Sequence, residues 1–376
     1  MNAHCVRGQK TDLLVNMNVV LASNARGTRH QVMPLARQNE GLVGMSERSG
    51  LMVCAVLALA GSCLGGQDMV AEVAGRPPHL RIARIIEVTD GSTMYMQPVW
   101  SPDGRKLAFT KSGFTGLYVR NADGSGPITE ITSADYSGYK PMWTSDSKGL
   151  VIRTRIGIVG QSISYIDVGT GEVRVLEERA IHPKQPERNA YGDVSVDVDG
   201  ERKVLDPTTG SLVDREGSYS EERPCSLDIS LEMDFKDRRM WVVEADGIRR
   251  SEFPHQALLA SLSPTRDRVA FAKADPNLYV SNLDGSHVVN LGPGELWDWS
   301  PDGTRLVYMS AIVQGEWTTI ASELFVANPD GSGVVQISDT PDVVEDFPVW
   351  ASDGTRIAYS THRAGKICVA VLEAVQ

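Results

Sequence analysis

What the chain has little of closes several classes of function. It lacks a long apolar run: the most hydrophobic stretch, Leu51-Met-Val-Cys-Ala-Val-Leu-Ala-Leu-Ala60, is only about half the roughly twenty residues that a membrane-spanning helix needs. It is short of positive charge, with 37 Lys and Arg against 48 Asp and Glu and a formal net charge of −11. Arg7, Lys10, Arg26, Arg29, Arg37 and Arg48 gather near the start, so the remainder is more acidic still. No basic stripe interleaved with aromatics offsets this, and nucleic acid is excluded as a partner because an acidic surface repels phosphate. Of the 5 cysteines, Cys5, Cys54 and Cys63 precede the body, which keeps Cys225 and Cys368. Those two lie far apart in the repeat order described below and read as buried thiols rather than a disulfide. Catalytic signatures are missing as well. The nearest approach to Gly-x-Ser-x-Gly is Gly160-Gln-Ser162-Ile-Ser164, which opens a strand. His79, His182, His255, His287 and His362 are scattered, none at metal-ligand spacing to another. No cofactor or metal is expected.

The amino terminus differs in kind from the rest. Residues 1–44 show no hydrophobic period and read as an upstream over-extension of the reading frame or a leader. Met45-Ser-Glu-Arg48 then introduces the apolar run, and small residues follow it. This order describes a secretory signal peptide over 45–66, with 67–79 as a linker. Ala60-Gly61-Ser62-Cys63 also resembles a bacterial lipobox, although Leu59 stands one place early. Acylation of Cys63 and simple cleavage with release are the two alternatives, and one acyl chain would add only marginal membrane affinity. The expected location is therefore periplasmic or extracellular, membrane-attached only through Cys63.

What the chain has in quantity is a repeat. Leu296-Trp-Asp-Trp299-Ser-Pro-Asp-Gly303-Thr-Arg-Leu306-Val-Tyr308 returns as Gln97-Pro-Val-Trp100-Ser-Pro-Asp-Gly104 and as Phe347-Pro-Val-Trp350-Ala-Ser-Asp-Gly354. A looser copy is Lys140-Pro-Met-Trp143-Thr-Ser-Asp-Ser. Pro presets φ, Asp caps the turn and Gly accepts positive φ, so each copy reads as strand, tight turn, strand. Later in each unit come hairpins at Asp123-Gly, Asp284-Gly and Asp330-Gly, a dipeptide suited to type I′ turns, in which both central residues take positive φ. Fainter copies sit near 195, 229 and 262. Four short strands per period of roughly forty residues mark a β-propeller. The fold is read as all-β over 80–376, with seven blades, or six if the faint units merge. The last unit stops at its third strand, Lys366 to Val371, while Arg81 to Val88 is an orphan. The orphan is expected to complete the last blade and close the ring.

These motifs resemble the repeats of the TolB-type propeller family, most clearly in three or four units and poorly between about 180 and 250. The resemblance implies an exported bacterial propeller that acts by binding proteins or envelope components.

Trp100, Trp143, Trp299 and Trp350 could form a binding stripe, but one per unit at the same point suits packing between blades. Asp193, Asp197, Asp199 and Glu201 form the densest acidic set, yet lack the spacing of a calcium loop. The Pro-Asp-Gly and Asp-Gly turns share one face, so binding residues are expected on the opposite one, which carries the variable connections. These are 133–139 with Tyr136 and Tyr139, 178–191 with His182, 309–323 with Trp317, and 338–347 with Asp342, Glu345 and Asp346. Trp317 lies outside the repeat phase and is the leading anchor. Gln97, Lys140, Glu295 and Asp346 are expected to ring the channel mouth. Two functions follow. One is an exported, non-catalytic and monomeric scaffold for a protein or cell-envelope polymer. The other is a carbohydrate-active lyase or hydrolase with its site in the funnel. Propeller-bearing peptidases of the prolyl oligopeptidase type need a separate α/β-hydrolase domain, for which the repeats are expected to leave no room.

Overall fold

The computed structural model describes residues 79–375 apart from 157–159, 182–185, 189–192, 199–200, 215–228, 235–238, 245–248, 315–317, 341–342 and 363. Its architecture follows from the turns. Gly104 takes φ 67°, and its N–H closes on Ser101 O at 2.8 Å. Asp103 Oδ1 meanwhile accepts Ser101 Oγ at 2.6 Å and Arg105 N at 3.0 Å. Asp302 and Asp353 cap their turns in the same way. Where glycine is missing, Ser147 and Arg266 take the positive φ instead, 62° in both.

The strands so connected form seven antiparallel blades in a ring, six of four strands and one with three among the described residues. The innermost strands, in blade order, are Tyr95–Trp100, Met142–Trp143, Glu187–Arg188, Ile229–Asp234, Leu259–Leu262, Glu295–Trp299 and Glu345–Trp350. The repeat near 195 is thus a second strand, Val194–Val198. Its blade starts at Glu187–Arg188, whose polar side chains show no strand alternation. In the seventh blade, Lys366–Val375 has Arg356–Thr361 on one side and His79–Glu87 on the other. The pairing runs from His79 opposite Val375 to Glu87 opposite Cys368.

Apolar clusters straddle neighbouring blades. Trp143, Leu150 and Ile152 of the second blade pack on Ala108, Leu117 and Val119 of the first. Trp299 and Leu306 of the sixth meet Leu278 and Val280 of the fifth. Trp350 and Ile357 of the seventh meet Val307 and Leu324 of the sixth. Trp100 and Phe109 of the first join Ile367 and Val369 of the seventh, so that junction has the same chemistry as the others. The four tryptophans are core. Trp143 is 1% exposed, and its Nε1 donates to Val99 O at 3.1 Å, as Trp100 Nε1 donates to Val349 O. Cys368 is free and buried, its thiol pushed up to about 11 chiefly by desolvation; Cys225 lies outside the described residues.

Two expectations need correction. The Asp-Gly hairpins are not type I′: Gly124, Gly285 and Gly331 have positive φ, whereas Asp123, Asp284 and Asp330 do not. The loop is longer than two residues, so an Asn121–Gly124 turn closes first at 3.0 Å. The aspartate is then left to accept Ser125 N through its side chain at 2.9 Å. Nor is 309–323 mainly a loop. Leu306–Gln314 and Thr318–Ala327 continue the blade as a long hairpin, because β-branched residues such as Ile312, Val313 and Thr319 keep the pairing going.

Candidate functional site

On the turn face the polar groups are spent on the turns. Asp103, Asp123, Asp284, Asp302, Asp330 and Asp353 each bond a neighbour within their own turn. Desolvation, the largest single effect at Asp103, Asp302 and Asp353, pushes their carboxyls up, and those bonds together outweigh it and hold all six below the usual range.

The opposite face is built differently. Gln97, Lys140, Leu296 and Phe347 stand three residues before their tryptophans, all with φ between 45° and 53°. Three of them precede proline, a position that normally forces extended backbone. In the first, sixth and seventh blades this kink coincides with a register shift in the inner strand. Gln97 and Lys140 thus share one phase. Glu295 and Asp346 lie one residue earlier in theirs.

Tyr136 and Tyr139 come together as a stacked pair, centroids 5.0 Å apart, with Phe114 edge-on to Tyr139 at 5.1 Å. Phe114 and Tyr136 both take positive φ, a strained state for bulky residues that clusters at functional sites. The loop is anchored by Gly138 N to Phe114 O at 3.1 Å and Tyr139 N to Tyr136 O at 3.1 Å. A side chain at Gly138 would run into Thr110. Sequence reasoning missed what this loop covers. Arg153, on Gly149–Ile156, places its guanidinium 5.1 Å from the Tyr139 ring centre, and Arg155 lies 5.8 Å from that of Tyr136. Arg153 is 8% exposed, and its buried Nε has no hydrogen-bond partner. Burial, followed by the Arg153 charge, lowers the pKa of Lys140. Lys140 itself remains exposed to solvent. The signal for Arg153 was its phase: it follows Val151 in strand alternation, so the backbone aims it inward.

A second cluster joins the sixth and seventh blades. Glu345, 1% exposed, accepts Thr340 Oγ1 at 2.9 Å through Oε1, while its Oε2 has no partner. Desolvation raises its pKa to about 7. Glu323 beside it takes Ser338 Oγ at 2.7 Å and Thr340 N at 3.1 Å. Asp346 is also buried. It accepts Ser360 Oγ and lies 3.6 Å from His362 Nδ1, and burial raises its pKa. Asp346 is therefore held within the protein rather than lining an open mouth, and Glu295 is exposed. Trp317, Asp342, His182 and Cys63 lie outside the described residues. Asp197 is held by Arg202 at 2.9 Å, and Arg202 also meets Glu187 at 3.1 Å. Among the described residues no group of three or more His, Cys, Asp or Glu is arranged to hold a metal ion.

The class is thus a seven-bladed β-propeller, with its unspent polar and aromatic groups on one face. No family model matches the chain. It is similar to dipeptidyl-peptidase 5 of Porphyromonas gingivalis, 40% identical over 68 residues, 18% of this chain and 10% of that protein. It is also similar to the uncharacterized peptidase YuxL of Bacillus subtilis, 33% identical over 78 residues, 20% of this chain and 12% of that protein. The chain therefore matches only about a tenth of the length of these curated relatives. Among solved structures, a chain in the crystal structure of a mitotic checkpoint complex aligns with a TM-score of 0.48 and 14% identity. That alignment covers 86% of this chain and 99% of the other.

Proposed function

We propose that the protein is an exported, TolB-type binding scaffold that engages a protein or cell-envelope partner through the face bearing the irregular connections. The observation that carries this reading is the asymmetry of the two faces. One spends its acids on short repeated turns. The other bears left-handed Phe114 and Tyr136, and the blade-six hairpin exposes Ile312 and Val313, apolar surface of the kind that anchors partners. Affinity capture from the producing cell tests the reading, comparing the wild-type protein with Tyr136→Ala and Ile312→Ser. Capture that is specific and reduced in both variants supports the scaffold; equal capture by all three removes it.

A hydrolytic reading has one observation of its own, the approach of His362 to Asp346 at 3.6 Å beside the buried Glu345. The peptidase names of the two partial relatives agree with it. Turnover of a peptide or polysaccharide panel that His362→Ala abolishes would reverse the order of the two readings.

A further inference from the structure

Arginine is rarely buried without a carboxylate, because desolvating a guanidinium is strongly unfavourable unless an anion and hydrogen bonds offset it. Arg153 departs from that rule. Among the described residues no carboxylate forms an ion pair or hydrogen bond with Arg153 or Arg155, and the rings of Tyr136 and Tyr139 are the contacts that hold Arg153. The cation–π contact compensates only part of the desolvation and leaves the in-plane N–H donors unused, with Nε buried and unsatisfied. Arg155 brings a second guanidinium to the same tyrosine pair from an exposed position, and Asp135 O fixes its backbone N at 3.2 Å. The walls are aromatic and the donors cationic, so the group that fits is a small oxyanion flanked by flat or apolar surface.

We propose that Arg153 and Arg155, framed by Tyr136 and Tyr139, form an oxyanion-binding site that takes a carboxylate or phosphate group carried by the partner. This deepens the scaffold reading and rests on it for the partner alone. Planar guanidinium donors match both groups through paired N–H bonds. The strain at Phe114 and Tyr136 is the cost of holding the rings in place around the site.

Isothermal titration at fixed ionic strength, using inorganic phosphate and an acetylated, amidated tetraglutamate peptide, tests the site without any partner. The expected result is saturable binding of at least one probe with Kd at or below about 1 mM, weakened about tenfold or more in Arg155→Gln. Arg153→Met should abolish it. Arg155→Gln and Tyr136→Leu alter residues that are not fully buried, so they report on the site even if the Arg153 variant misfolds. Binding of phosphate alone assigns the ligand as a phosphate group, and binding of the peptide alone assigns it as a carboxylate. No saturable binding of either probe, or equal binding by wild type and by both Arg155→Gln and Tyr136→Leu, overturns the site. Probe binding with no partner captured from the cell would instead count against the scaffold reading and leave the oxyanion site standing.

Discussion

Asp298 reaches from the sixth blade to the seventh and accepts the backbone N–H of Trp350 through Oδ2 at 2.8 Å. At the junctions around Trp100 and Trp143 a backbone carbonyl accepts the indole N–H instead. Here the indole Nε1 of Trp350 is left without a partner. The carboxyl is half-buried at the junction, and desolvation raises its pKa to about 6. Replacing Asp298 with Ala strips the acceptor from a buried N–H and should cost roughly 1–3 kcal/mol. Urea unfolding at pH 5, where the carboxyl is mostly neutral and no buried charge is relieved, reads that cost; an unchanged midpoint would show that the bond is idle.

Glu345 should make stability fall as pH rises. Its folded pKa, about 7, lies above the ordinary 4.5, so between those values the unfolded chain gives up its proton while the folded protein keeps it. The penalty is absent below about pH 4.5 and complete above about pH 7. Glu345→Gln removes it, and should stabilise the protein at pH 8 by roughly 1–3 kcal/mol and at pH 4 hardly at all. Thermal melts of both proteins across pH 4–8 check the prediction, and a gain that does not vary with pH contradicts it.

The outer strand of the seventh blade predicts a cost well beyond its own burial. Val88 N donates to Ile367 O at 2.8 Å, and Thr89 Oγ1 accepts Ile367 N at 2.8 Å. Val88 itself sits in the cluster joining the seventh and first blades. A protein beginning at Met94 loses all of this and leaves the edge of Lys366–Val375 open. It should melt at least several degrees lower and less cooperatively; a melt matching that of the longer protein would show that the strand does not hold the ring.

Much of the fold was legible because the repeat writes its own phase. Trp100, Trp143, Trp299 and Trp350, each tied to a turn, located four blades and predicted their burial. The third blade was harder to read because Glu187–Arg188 offers an inner strand with no apolar face. The site was less legible, since its signals are departures from the pattern rather than copies of it. Asp298 occupies the place of Val99, Met142 and Val349, and an acid there marks an altered junction. Arg153 is a buried cation that follows the apolar run Leu150-Val-Ile152 on its strand. His362 and Asp346 are sixteen residues apart and meet only because their strands pair, with Asp346 opposite Ser360. Tyr136 and Tyr139 could be named from the sequence as loop aromatics, but their meeting with Arg153 and Arg155 depends on how the loop folds over the strand.

The central claim is a division of labour: one face built of structural turns, the other carrying recognition. It is tested most directly by the affinity of the captured partner for two single-site variants, Arg155→Gln on the irregular face and Asp123→Asn on the turn face. Asp123→Asn keeps the side-chain acceptor that Ser125 N uses, so the turn survives. The account predicts a loss of about tenfold or more for Arg155→Gln and a change within about twofold for Asp123→Asn. Equal losses, or a larger loss at Asp123, would contradict it.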